Sequence, residues 1–85
     1  MKEFLDLGDG VEIVELIVHE KSPIDNKLIK ELNKSRELPK DSRIIVIKRN
    51  NQIIIPEGET RILAGDIVAA LSLKINIPQL VSLFS

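Results

Sequence analysis

The chain has one histidine, His19, and no cysteine. A zinc site needs three or four ligands, and one imidazole with no second histidine near it cannot supply them. Without thiols there are neither disulfides nor thiolate metal sites. Ser22 stands three residues after His19. A serine nucleophile needs an adjacent base and a third group to orient that base, and in K-S-P-I-D the expected role of Ser22 is a helix cap. Glu12, Glu15 and Glu20 lie along one stretch, V-E-I-V-E-L-I-V-H-E. Paired carboxylates do acid–base chemistry or hold divalent cations, but here their positions read as the solvated edges of a strand. Glu15 differs from the other two because it interrupts the apolar row of Val11, Ile13 and Ile17. A buried Glu15 requires a cationic partner across the sheet. No catalytic set emerges, and the chain is not expected to be an enzyme.

The chemistry that remains is anion binding. Lys48-Arg49 ends an apolar run, and an arginine fork matches a phosphate. Arg43 and Arg61 approach it if the strands pair as their alternation suggests. His19, Arg43 and Arg49 are the candidate ligand contacts. The competing reading of Lys48-Arg49 is a charged hairpin that keeps the strands soluble.

Composition narrows the class. The chain has 85 residues, enough for one domain and one core. Hydrophobic residues make up 44% and charged residues 29%, the balance of an ordered soluble domain. Phe4 and Phe84 are the only aromatics, so the stacking platforms of single-strand nucleic-acid binders are missing. Twelve basic and thirteen acidic residues are interspersed, giving a net charge of −1. That surface offers little to a nucleic-acid backbone or an anionic membrane. No apolar run approaches the ~18 residues of a membrane span, and Met1 to Gly10 lacks a signal-peptide core.

The elements that must position these residues are mostly strands. Residues 1–10 form a lead-in stub ending in the turn signal Gly8-Asp9-Gly10. Val11 to Glu20 reads as a strand with Val14, Leu16 and Val18 on one face. Ser22-Pro23-Ile24-Asp25 predicts a helix start, with Ser22 as cap and Pro23 at the first helical position. Ile24, Leu28 and Leu32, with Ile29 beside them, make the apolar stripe of that helix. Arg43 to Lys48 and Gln52 to Ile55 form a hairpin around Asn50-Asn51, residues suited to positive φ. Arg61 to Leu63 reads as a short strand. Gly65-Asp66 makes a turn in which the carboxylate accepts from nearby backbone N–H groups. Ile67 to Leu71 is the last strand, and Pro78 opens a short terminal helix with Leu80, Val81 and Phe84 on one side. The fold class is α+β: a small mixed or antiparallel sheet of four or five strands, one amphipathic helix packed on it, and a short C-terminal helix.

These pieces, in order, resemble the TrkA C-terminal domain, the C-lobe of the RCK domains that regulate potassium conductance. The likeness runs through E-L-I-V-H-E-K-S-P-I, the K-E-L-N helix, Leu38-Pro39, I-I-V-I-K-R, the following Asn-Asn and I-I-I-P. It ends in E-G-E-T-R-I-L-A-G-D-I-V, where the family shows P-x-G-x-T-x-L-x-x-G-D, and covers about residues 7–84. Two departures stand out. Asp25-Asn26-Lys27 replaces a glycine near the first turn of the helix, and the stretch between Leu32 and Leu38 is a few residues longer.

The resemblance implies a non-catalytic, cytoplasmic regulatory domain over residues 11–85, serving a potassium or other cation uptake system. It implies a homodimer partnered by a membrane transporter or channel subunit, or by a Rossmann-type nucleotide-binding lobe. It implies no resident cofactor, but a nucleotide effector such as cyclic di-AMP held between two copies. Rival readings are a dimerisation lobe without ligand, and the same module on an antiporter or anion exchanger. One argument for a dimer is independent of the family. Ile44-Ile45-Val46-Ile47 and Ile53-Ile54-Ile55 put branched residues on both sheet faces, and one layer of helix covers only one face.

Overall fold

The computed structural model describes residues 2–85, with side chains from Phe4 onward; Met1, the first residue of the expected lead-in, lies outside the described residues. Five strands form one antiparallel sheet in the order β1-β2-β5-β3-β4. They are β1 (Lys2–Gly8), β2 (Val11–Ile17), β3 (Arg43–Arg49), β4 (Gln52–Ile54) and β5 (Ile67–Leu73). Two helices, α1 (Ile29–Ser35) and α2 (Ile77–Phe84), complete the α+β fold.

The core follows from the two-residue alternation. Val14 and Leu16 of β2, Ile47 of β3, and Val68 and Ala70 of β5 are buried on one face. Ile77, Leu80 and Phe84 of α2, with Ile29 and Leu32 of α1, are buried in the same cluster, which Val18, Ile24, Leu38 and Ile62 complete. Pro78 sits in the first turn of α2, where its missing N–H costs no hydrogen bond.

The stretch read as a lead-in stub is an edge strand, with Leu5 paired to Ile13 and Phe4 to Val14. The turn that joins it to β2 needs positive φ at Gly8, Asp9 and Gly10 (85°, 53° and 79°), which glycine adopts freely. Lys74, just after β5, reaches back to Asp6 at 2.7 Å. That bond and the Gly8 N–H hold the Asp6 carboxyl below its ordinary range.

The helix start is corrected. Ser22 caps nothing: α1 begins at Ile29, and Pro23 to Asn26 form a turn. Asn26 has φ 66°, a left-handed conformation that no α-helix accommodates. Its N–H donates to the Ile62 carbonyl, and Ile62 N–H donates to Lys27, both at 2.8 Å. Extended pairing with the 58–62 segment thus displaces the first expected turn of helix. The same segment caps α1: Ile29 N–H donates to Thr60 and Lys30 N–H to Gly58. Glu31 Oε1 accepts from Leu28 N–H at 2.9 Å. Leu28 is the residue before the helix rather than part of its stripe. Likewise, the strand expected at Arg61 to Leu63 shrinks to one bridge between Arg61 and Leu28. Ser22 Oγ is buried with no hydrogen-bond partner among the described residues.

Two predictions follow from these local structures. Ser22→Ala leaves chemical-denaturation stability unchanged or raises it, because it removes an unsatisfied buried hydroxyl; a loss of ~1 kcal/mol would mark Ser22 as a cap after all. Asp6 has a depressed folded pKa, so its contribution is present above the unfolded carboxyl value of about 4 and is lost as pH falls through the folded value. Asp6→Asn therefore flattens the acid limb of stability against pH, read by circular dichroism, and leaves the variant less stable than the parent at neutral pH.

Candidate functional site

The cations suggested by the sequence go to three different places. Arg49 ends β3 and is committed internally. Its Nε donates to Asp66 Oδ1 at 2.9 Å, and its Nη2 donates to Asp66 Oδ2 at 2.8 Å and to the Arg61 carbonyl at 2.7 Å. Asp66 is 1% exposed and also accepts from Leu63 N–H at 2.9 Å. The hydrogen bonds to Asp66 hold the Arg49 pKa above its usual value. Arg61 is committed too, donating from Nη1 to the Asn26 carbonyl at 2.6 Å. The expected Asp66 turn is present, but its carboxylate bonds a guanidinium as well as the backbone. Lys48 turns to the other face of the sheet and pairs with Glu15 at 3.6 Å. That is the cross-sheet cation the position of Glu15 required.

His19 is exposed just beyond β2 and borders a shallow depression with Glu20, Ala64 and Gly65. Arg43 starts β3 opposite Leu71, whereas Lys48 near the end of β3 is opposite Ile67. Because Val18, next to His19, bonds to Asp66 next to Ile67, His19 and Arg43 lie toward opposite ends of the sheet. They do not form one site.

Arg43 instead borders a groove of about 950 Å³ between the C-terminal end of α1, the loop after it and the start of α2. Arg36, Lys40 and Arg43 line it, together with the amides of Asn33, Asn76 and Gln79 and the apolar surface of Leu32, Leu38 and Pro39. Among the described residues no carboxylate lines this groove, although the chain as a whole is acidic. Two carboxylates stand between its three cations in sequence: Glu37, which is drawn aside by Lys27 and Ser35, and Asp41, which does not line it. A smaller cleft continues past Arg43 to Pro56, Glu57 and Gly58.

Local structure explains the groove. Arg36 ends α1 in the left-handed conformation, φ 62°, and Asp41 repeats it, so the chain doubles back twice within six residues. Asn76 Nδ2 donates to the Lys40 carbonyl at 2.9 Å and ties the loop to the short turn before α2. Arg36 and Lys40 were not singled out in the sequence, where they are two surface cations in the longer stretch after Leu32. The signal available there was three cations within eight residues, R-E-L-P-K-D-S-R, but Glu37 and Asp41 mask it. Among the described residues, no cluster of three or more His, Cys, Asp or Glu side chains is arranged to hold a metal ion. No helix there is long and apolar enough to cross a membrane.

The model of the TrkA-C domain matches residues 13–85. The chain belongs to the TrkA-C domain family. A Trk system potassium uptake protein TrkA homolog from Archaeoglobus fulgidus is 40% identical over 77 residues, which is 91% of this chain. The chain spans only 17% of the length of that relative. A solved structure described as an RCK domain with cda superposes with a TM-score of 0.70 at 22% identity, covering 86% of this chain and 97% of that one. The match places this TrkA-C chain in the RCK C-lobe fold.

The Arg49–Asp66 clasp carries its own prediction. Arg49→Lys cannot keep both arms of the fork and lowers stability by ~1–3 kcal/mol, measured by denaturant unfolding followed by circular dichroism. Unchanged stability would return Arg49 to the pool of free ligand-binding cations.

Proposed function

We propose that this TrkA-C domain is a cytoplasmic, non-catalytic regulatory module of a potassium uptake system. It works as a homodimer that senses an anionic nucleotide effector. Family membership supports the regulatory role, and the relative named for potassium uptake supports the transport context. One observation carries the effector reading: the groove beside α1 presents Arg36, Lys40 and Arg43 with no carboxylate among its lining residues. None of the three forms an ion pair with a described residue. Guanidinium groups suit phosphate oxygens, the amides of Asn33, Asn76 and Gln79 suit base edges, and Leu32, Leu38 and Pro39 offer a base an apolar surface. The size suits a nucleotide, since small-molecule sites span roughly 300–1,000 Å³.

The mechanism is a population shift. An effector that binds one mutual orientation of two copies more tightly favours that orientation, and an attached transporter reads it. The partner is a membrane cation transporter or channel subunit, or a nucleotide-binding lobe bound to it. A cyclic dinucleotide such as cyclic di-AMP is the leading effector, and the neighbour described with cda adds weight to it.

The test is a dye-reported thermal shift against cyclic di-AMP, cyclic di-GMP, ATP, ADP, AMP and NAD(H). A ligand at 100 times its Kd adds about 2.7 kcal/mol, several degrees in a domain this small. Arg36→Glu and Arg43→Glu are expected to abolish the shift while leaving the unliganded midpoint within a degree or two. No shift with any nucleotide sinks the effector reading, and a shift that survives both variants moves the site away from this groove.

A further inference from the structure

We infer that Asn76 and Ser42 are positioning residues for the anion groove. They pin the loop after α1, so that Lys40 is held beside Arg36 and Arg43 before an anion arrives. The inference rests on the effector reading above and names the residues that set the affinity of its site.

Two of the three groove cations are placed by regular structure. Arg36 is the left-handed residue that ends α1. Arg43 begins β3 and is paired with Leu71 of β5. Lys40 has neither support. It is exposed in the loop between them and is followed by Asp41 in the left-handed region, φ 62°. Like charges gathered in one groove repel, so a free loop would carry Lys40 away from the two arginines.

Contacts on both sides of Lys40 oppose that. Leu38 and Pro39, just before it, are buried. Asn76 Nδ2 donates to the Lys40 carbonyl at 2.9 Å. Ser42 N–H donates to the Pro39 carbonyl at 3.2 Å and closes a turn around Lys40. Ser42 Oγ then lies 2.9 Å from Ser72 Oγ on β5. Ser72 is 1% exposed, and its own hydroxyl donates to the Leu73 carbonyl at 3.1 Å. A hydroxyl has one proton to give, so Ser42 is the donor of this pair and Ser72 the acceptor. The buried serine thus receives the loop, and both hydroxyls are satisfied.

The effect of these bonds falls on the unliganded state. The Asn76 bond is exposed, where water competes with it and its net worth to folding is small. What it removes is loop freedom, so that binding does not have to order Lys40. Asn76 spends one N–H proton on the anchor. Its second N–H proton and its Oδ1 are left for the groove it lines.

Isothermal titration calorimetry of the full chain with inorganic pyrophosphate tests this. The probe has no base, so it reads the cations and not the amides suited to base edges. The parent is expected to bind. Asn76→Ala and Ser42→Ala are each expected to weaken binding about 3- to 10-fold, the worth of one net hydrogen bond. Circular dichroism confirms that each variant is folded. Lys40→Ala also weakens binding. In that background, adding Asn76→Ala or Ser42→Ala is expected to change affinity by less than about 2-fold, because the anchored loop no longer carries the charge it places. Anchor variants that bind like the parent, whatever their stability, overturn the inference and leave the effector reading in place. So do losses that multiply with that of Lys40→Ala, and so does a parent that binds a nucleotide but not pyrophosphate. A parent that binds neither pyrophosphate nor any nucleotide overturns both.

Discussion

A carboxylate almost wholly removed from water must find its hydrogen bonds inside the protein, and Asp66 finds them at one corner of the sheet. Its two oxygens take both arms of Arg49 and the Leu63 N–H. Its backbone carbonyl accepts from Val18, and its N–H donates to Leu63. One residue thus joins the end of β3, the start of β5, the chain leaving β2 and the loop before β5. Arg49 extends the network to the Arg61 carbonyl, and Arg61 in turn reaches the Asn26 carbonyl. The turn that delays α1 and the loop that replaces an expected strand are held by the same set of bonds. The Gly65-Asp66 pair therefore sets the geometry of this whole end of the domain.

With that end committed to structure, the cations that stay without a carboxylate partner lie at the other. The groove between α1 and α2 gathers Arg36, Lys40 and Arg43 without a countercharge, whereas Lys27, Lys30, Lys48, Arg49 and Lys74 are all paired with carboxylates. Unpaired like charges held close together repel, and an anion relieves that repulsion. The N-terminus of α1 is not available for this role, because Thr60, Gly58 and the Glu31 side chain already satisfy its first N–H groups. The unpaired positive charge of this region lies with side chains on the loop after α1 and not with the helix dipole.

The sheet itself has two unlike faces. One is closed by α2 and α1 into a core of aliphatic residues with Phe84 the largest. The other is partly apolar and has no covering layer among the described residues, and the Glu15–Lys48 ion pair sits diagonally across its central strand. An edge strand such as β1, with Leu5 open on that face and Leu7 exposed beside the turn, belongs to the same surface. A domain this small gains little stability from its own core, and burying a second apolar face is a direct way to add to it.

Much of this was legible in sequence. The alternation of Val14, Leu16 and Val18, the Asn50-Asn51 turn, the Pro78 helix start and the cross-sheet demand of Glu15 all follow from local steric and solvation rules, which act within a few residues. The order of motifs identified the family for the same reason, since each motif records a local requirement. The start of α1 was not legible. Ser22-Pro23-Ile24-Asp25 has every local helix signal, but those are worth ~1 kcal/mol each, and extended pairing between Asn26-Lys27 and Ile62 outweighs them. The strand role of residues 2–8 depended on β2 being available as a partner. The candidate ligand contacts divided for the same reason: Arg49 and Arg43 look alike along the chain, but only the folded sheet puts Asp66 beside one and an open groove beside the other. The sequence by itself determined which residues alternate and where the chain turns between β3 and β4 and before β5, because those requirements are local. Tertiary structure decided which cations were neutralised and which were left free, because that depends on charges brought together from distant parts of the chain.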